Sequence, residues 1–132
     1  MLWIEVFAAL VVCHLAGDFL VQTEFQARHK HGGLGRDPVA QRALASHVGT
    51  YLACQAPALA WVAAETGPGA AAILAAAAAI VIPHAIQDDG RVIRAWMRRV
   101  KRTEYQPGVL TIAVDQSFHV LALFALALVL GT

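Results

Sequence analysis

The chain has 132 residues, 58% hydrophobic and 14% charged, with a mean hydropathy of +0.58. Soluble domains carry roughly 25% charged and about 45–50% apolar residues, so an ordinary soluble domain is excluded and a membrane protein is indicated. The net charge of +1 conceals a strong segregation of basic residues.

Four stretches are long enough to span a bilayer, which takes about 20 mostly apolar residues. The first runs from Leu2 to Gln22. It lacks a basic leading region, carries Glu5, His14 and Asp18, and shows no small-residue cleavage site. It therefore reads as a retained helix and not a secretion signal. The connection after it holds "GGLGRDP", with Pro38 placed to start helix two. Helix two covers Ala40 to Ala64, and "TGPG" (Thr66 to Gly69) is a tight turn. Helix three covers Gly69 to about Gln87, with the alanine-rich run Ala70 to Ala79 as a smooth packing surface. Helix four covers Val109 to Leu130. Nothing alternates with period two, so a barrel is excluded. The sequence predicts an all-α integral membrane four-helix bundle, one domain over residues 1–132. Cys13 and Cys54 show no metal or redox spacing and read as buried small apolar residues.

Arg28, Lys30, Arg36 and Arg42 flank the first connection, and Arg91, Arg94, Arg98, Arg99, Lys101 and Arg102 fill the third. These are all ten basic side chains. Cytoplasmic loops keep the Lys/Arg excess, so connections one and three are expected in the cytoplasm and both termini outside. In "RVIRAWMRRVKR", Val92, Ile93, Trp96, Met97 and Val100 share one helical face. That pattern predicts a basic interfacial helix between helices three and four. Arg91, Arg94, Arg98 and Arg99 are its expected contacts with lipid headgroups, as an anchor or as a surface that guides substrate. Nucleic acid is not expected, because the stretch is short and adjoins the membrane.

The apolar spans are interrupted by a repeated pairing. His14 and Asp18, His84 and Asp88, and Asp115 and His119 are each four residues apart, and His47 stands alone on helix two. Residues at i and i+4 share a helix face. At about 1.5 Å per residue, these groups fall in one slab about 10–15 Å below the cytoplasmic surface. An aspartate at mid-bilayer costs roughly 2.5–3.5 kcal/mol on insertion scales, so the groups must face inward and satisfy one another. A hydrogen-bond network, a proton or ion path and a metal centre all remain open. Three carboxylates against four imidazoles leave a charge imbalance that a divalent cation resolves. The ligand types suit zinc, iron or manganese, and their number suits two ions bridged by a carboxylate. Helical bundles host such centres. Gln22 and Gln116 are expected to donate to the ligands and fix their orientation. Gln87 and Asp89 read as polar groups at a helix end, and His29 and His31 as residues of a solvated loop.

"HLAGDFLVQTE", "ASHVGTY" around His47, "PHAIQDD" and "DQSFHVLALF" together resemble a family of small bacterial and phage membrane proteins, domain of unknown function 3307. The resemblance covers nearly the whole chain and implies a bacterial inner membrane location. The His/Asp pattern is also similar to that of membrane-bound metal-dependent hydrolases and, more distantly, of helical zinc-dependent phospholipases. That likeness implies metal-site roles for His14, Asp18, His47, His84, Asp88, Asp115 and His119. It implies hydrolysis of a lipid or lipid-linked ester or phosphoester near the cytoplasmic leaflet, with Asp18 or Asp115 to take the proton. The competing expectations are metal or proton transport, a di-iron type oxidoreductase, and an assembly protein with a structural metal site. Membrane lipid is the expected partner, with a lipid-like substrate; a homo-oligomer stays open.

Overall fold

The computed structural model describes residues 2–67 and 69–131. Pro68 of the predicted TGPG turn lies outside the described residues, as do the terminal residues Met1 and Thr132. Among the described residues every regular element is helical. Helix α1 (Leu2–Leu15) continues into a π-helical turn (Ala16–Val21), so the predicted first helix is present with a changed winding near its end. A short helix α2 (Glu24–His29) follows in what read as a plain connection. Helix α3 (Pro38–Thr66) starts with Pro38 in its first turn, and the Asp37 side chain accepts the Val39 N–H at 2.9 Å. The remaining helices are α4 (Ala70–Asp88), α5 (Arg91–Arg99) and α6 (Val109–Leu130).

Three helical stretches are long and apolar enough to cross a membrane: Leu2–Val21, Ala70–Asp88 and Val109–Leu130. The sequence suggested four. Helix α3 has 29 residues and is the longest, but it is not among the three. Gln41, Arg42, Ser46, His47, Thr50 and Gln55 interrupt its apolar run.

Helix α1 packs on α3 and α6, and α4 packs on the same two helices. One half of the packed interior is dry. There Val6, Leu10, Leu59, Val62, Ile80, Leu123 and Ala127 form a buried apolar cluster. Trp3 and Phe7 meet Phe124 edge to face at 5.8 and 5.4 Å, a favoured aromatic arrangement. The outer faces are also apolar: Leu20 is 83% exposed, Leu74 70% and Leu121 63%. Cys13 and Cys54 are half-buried free thiols, less enclosed than the sequence suggested.

The predicted interfacial helix needs a similar correction. Its apolar face is divided. Ile93 and Met97 are buried against Val114 of α6, with Tyr105 and Phe118 around them, whereas Val92, Trp96 and Val100 are exposed. Thus α5 is docked on α6 through half of its apolar residues, because those two side chains find a core to enter.

The segment after α2 approaches the start of α3 very closely. A Cβ on Gly33 would lie 2.5 Å from Leu44 Cβ and 2.7 Å from the Ala40 carbonyl oxygen. Neither atom belongs to a flexible tip, so a methyl group forces backbone movement. Gly33→Ala is expected to destabilise the fold by about 1–3 kcal/mol, measured by chemical unfolding in mild detergent followed by circular dichroism.

Candidate metal centre

The other half of the interior is polar. His14 comes from α1, Asp18 from the π turn, His47 from α3, His84 and Asp88 from α4, and Asp115 and His119 from α6. All are buried except Asp115, which is half-buried. The seven side chains form overlapping groups: His14 with Asp18, His84 and His119; His47 with His84 and Asp88; Asp88 with Asp115 and His119. Within each group one ligand atom per residue lies within 4.8 Å of the others. The structure thus brings together every predicted ligand position.

The local winding explains part of this convergence. The Gln22 N–H reaches back five residues to the Gly17 carbonyl at 3.1 Å, which closes the π turn. Such turns recur at functional sites because they re-aim a side chain within a continuous helix. Gly17 gives the turn its close contact with α3: a Cβ there would stand 2.7 Å from the Tyr51 ring.

The tightest group is a triangle. His47 Nε2 lies 2.8 Å and His84 Nε2 3.0 Å from Asp88 Oδ2, and the two nitrogens are 3.1 Å apart. Asp18 Oδ1 stands 3.4 Å from His47 Nε2 and 3.6 Å from His84 Nε2. Asp18 Oδ1, Asp88 Oδ2 and His119 Nε2 are buried without a hydrogen-bond partner among the described residues. One imidazole proton cannot serve several acceptors at once. A tetrahedral ion with bonds of about 2.0–2.2 Å sets its ligand atoms about 3.3 Å apart. The triangle's edges of 2.8–3.1 Å come near that spacing, and Asp18 Oδ1 stands beside both nitrogens, so the residues of the triangle fit a divalent ion. A second, looser group joins His119 Nε2 to Asp88 Oδ1 at 3.5 Å and to Asp115 Oδ1 at 3.6 Å.

His14 is placed differently from the other three histidines. Its Nε2 meets Gln116 Oε1 at 2.8 Å and its Nδ1 meets the Tyr51 hydroxyl at 3.0 Å. Both ring nitrogens are engaged, although the ring stays 3.8 Å from Asp18 Oδ2. Gln116 also donates to Asp18 Oδ2 at 3.2 Å, so from α6 it contacts two of the candidate ligands on the first helix. Gln22 fits its neighbours when its amide oxygen accepts from Lys30 Nζ at 2.7 Å and its nitrogen donates to the Asp18 carbonyl at 3.2 Å.

Sequence reasoning missed two residues here. Tyr51 is fully buried and stacks on the His84 ring, with centroids 3.5 Å apart and an 11° interplanar angle. Its position one helical turn from His47 was the available signal. Lys30 read as a cytoplasmic loop cation, yet it is buried, with Nζ 2.8 Å from Asp88 Oδ1 and 3.5 Å from His47 Nε2. The cluster therefore contains its own positive charge, which the count of carboxylates and imidazoles left out.

The chain delivers Lys30 by a short, well-fixed route. In α2, Thr23 and Gln26 form a reciprocal cap, and Gln26 donates to Ser46 of α3 at 3.3 Å. Beyond Lys30, the Gly32 N–H donates to the Asp89 carbonyl and the Leu34 N–H to Asp89 Oδ1, both at 2.9 Å. Asp89 is buried and also pairs with Arg91. Burial alone would raise its carboxyl, but the Arg91 and Leu34 hydrogen bonds outweigh burial and hold it below the ordinary carboxylate range. Gln87 donates to the Phe118 carbonyl at 3.2 Å. His29 and His31 are exposed, but His29 ends helix α2 and is not in a loop, and His31 Nδ1 lies 3.1 Å from the Asp88 carbonyl oxygen. Of the predicted headgroup arginines, Arg91 is paired with Asp89, Arg94 lies over the Tyr105 ring at 5.8 Å, and Arg98 and Arg99 are exposed.

Fold and site together define a class: an all-helical protein with three helices of membrane-crossing length and apolarity, and a buried His/Asp/Lys cluster between its helices. The model of the family described as "Protein of unknown function (DUF3307)" matches residues 6–132. The chain belongs to that family. No curated protein and no solved structure matches it. None of these comparisons shows a likeness to membrane-bound hydrolases.

Removing the ammonium leaves Asp88 Oδ1 without its closest partner. Lys30→Met is expected to cost about 3–5 kcal/mol, the range for breaking a buried ion pair. Unfolding in detergent should show Lys30→Met combined with Asp88→Asn recovering part of that loss.

Proposed function

We propose that this chain is a membrane-embedded metal-dependent hydrolase acting at the cytoplasmic leaflet of the bacterial inner membrane. Its substrate is a lipid or lipid-linked ester or phosphoester. The observation that carries the reading is the pair of unpartnered buried oxygens, Asp18 Oδ1 and Asp88 Oδ2, facing the Nε2 atoms of His47 and His84. Charges of this kind deep in a membrane are costly and mark functional groups.

His47, His84, Asp88 and Asp18 would hold the ion, with zinc the best match to their chemistry and iron or manganese also suited. A divalent ion there acts as a Lewis acid toward a phosphoryl or carbonyl oxygen. Asp115 is the proton acceptor in this reading. It is half-buried, lines an open cavity, and faces His119 Nε2 at 3.6 Å. Asp18 borders the same cavity but is buried, with Oδ1 turned toward the His47 and His84 nitrogens, and is the poorer choice. Gln116 holds His14 and Asp18 in place.

In this reading α3 is the fourth span, with His47, Tyr51 and Gln55 buried on the face that packs against α1 and α4. The arginine-bearing connections lie in the cytoplasm, both termini lie outside, and α5 rests at the interface with Arg98 and Arg99 toward headgroups. Transport is less well supported. Polar contacts continue outward from His14 through Tyr51 to Gln55, whose amide donates to the Tyr51 hydroxyl and the Leu10 carbonyl. Beyond Gln55 stand Val6, Leu59 and Val62, all buried and apolar.

Two measurements test this reading. Elemental analysis of protein purified without chelators should find retained zinc, iron or manganese, and His84→Ala should lose it while Arg98→Gln keeps it. A folded, metal-free wild type rejects the hydrolase. For the topology, Arg99→Cys in a Cys13→Ala, Cys54→Ala background should react with a membrane-impermeant maleimide in inverted vesicles and not in intact cells. Labelling in intact cells reverses the orientation.

A further inference from the structure

A cavity of about 510 Å³ adjoins the polar cluster. Small-ligand sites span about 300–1,000 Å³. Its walls differ in chemistry. Asp18 and Asp115 border the cluster, and Arg28, Lys30 and His31 supply a basic side. Phe19 of the π turn and Ile112 of α6 supply an apolar side, and both are more than half exposed on the outer surface of their helices. The cavity therefore runs from buried charge to the apolar exterior.

We propose that this cavity takes the phosphate headgroup of an anionic, phosphatidate-like lipid, with the acyl chains leaving past Phe19 and Ile112. The proposal rests on the hydrolase reading and narrows its substrate class. Phosphate oxygens accept from guanidinium and ammonium groups together, and the Arg fork suits them in pairs. The present partner of Arg28 is Glu24, at 2.6 Å, and both side chains are largely exposed. Exposed pairs of this kind are weak and exchangeable, so the guanidinium can turn to a stronger anion. A head bearing a quaternary ammonium would bring positive charge to the basic side and lose this advantage. Free phosphate would leave the apolar side uncovered.

The test uses the full chain, purified without chelators, in an uncharged maltoside detergent with no metal added. Short-chain phosphatidate, phosphatidylcholine of the same chain length and inorganic phosphate are titrated in turn by calorimetry. Phosphatidate should bind roughly tenfold more tightly than either alternative, the effect of about one charge-assisted contact. Arg28→Gln should remove the preference over phosphatidylcholine, and Phe19→Ala the preference over inorganic phosphate. Ile112→Ala serves if Phe19→Ala does not fold. Equal affinity for phosphatidylcholine overturns the headgroup assignment, and equal affinity for inorganic phosphate overturns the lipid source. Metal content of the same samples separates the two readings. Phosphatidate preference in a metal-free protein keeps the cavity and rejects the hydrolase; bound metal without preference does the reverse.

Discussion

Asp88 is met on Oδ1 by the Lys30 ammonium, and its Oδ2 faces the Nε2 atoms of His47 and His84. A carboxylate buried to this degree costs several kcal/mol unless its charge is met. Each partner comes from a different part of the chain, so meeting that cost fixes the relative positions of α2, α3 and α4. The end of α4 makes the demand greater. A helix C-terminus carries a partial negative charge, and Asp88 and Asp89 both sit there. Lys30, the ring nitrogen of His31 and the N–H groups of Gly32 and Leu34 all approach that terminus. The loop from Lys30 to Leu34 is therefore a cap as well as a connection, and its backbone contacts with Asp89 hold the ammonium where Asp88 needs it.

The imidazole and carboxylate positions were legible because their spacing repeats on three helices and their cost in lipid allows few explanations. The bounds of α6 were equally legible, since an apolar run between "QPG" and the chain end offers few other registers. Lys30 was not legible. It belongs to a loop by pattern, and only the folding back of α2 over α3, fixed by the Thr23–Gln26 cap, carries it inward. Its four-carbon stem then spans the remaining distance, as long cationic side chains do. Tyr51 was hidden because a tyrosine in an apolar helix reads as bulk, and its hydroxyl matters only once His14 is known to face it. The stripe on α5 misled for a related reason. Periodicity shows that Ile93 and Met97 share a face with Trp96, but it cannot show that Val114 and Phe118 of α6 cover part of that face.

The interior is divided along the helix axes into a wet half and a dry half, and α3 carries the boundary. His47, Tyr51 and Gln55 lie one turn apart on its inner face, and then Ala58, Leu59 and Val62 continue the same face without a polar atom. Gln55 ends the polar series with its own oxygen unpartnered. The apolar half lets the helices pack closely through Ala58, Ala76 and Ala127, since small side chains permit close approach. The same arrangement explains why α3 is the least apolar of the long helices. It supplies polar groups at the depth where the other three need partners, and α1 and α4 pack against it.

The ammonium also bears on how many ions the cluster can take. The triangle of His47, His84 and Asp88 uses Asp88 Oδ2, and the group with Asp115 and His119 would use Asp88 Oδ1. Lys30 already occupies Oδ1 at 2.8 Å. A second ion bridging through Asp88 has to displace Lys30 or share its oxygen, at a point where the nearest neutralising carboxylate, Asp115, is partly open to the cavity. One ion in the triangle asks for neither. With Lys30 in place, one divalent ion would balance three carboxylates: three negative charges would meet three positive ones. A second ion would leave an excess of positive charge in a low-dielectric interior, unless an anionic ligand entered through the cavity to meet it.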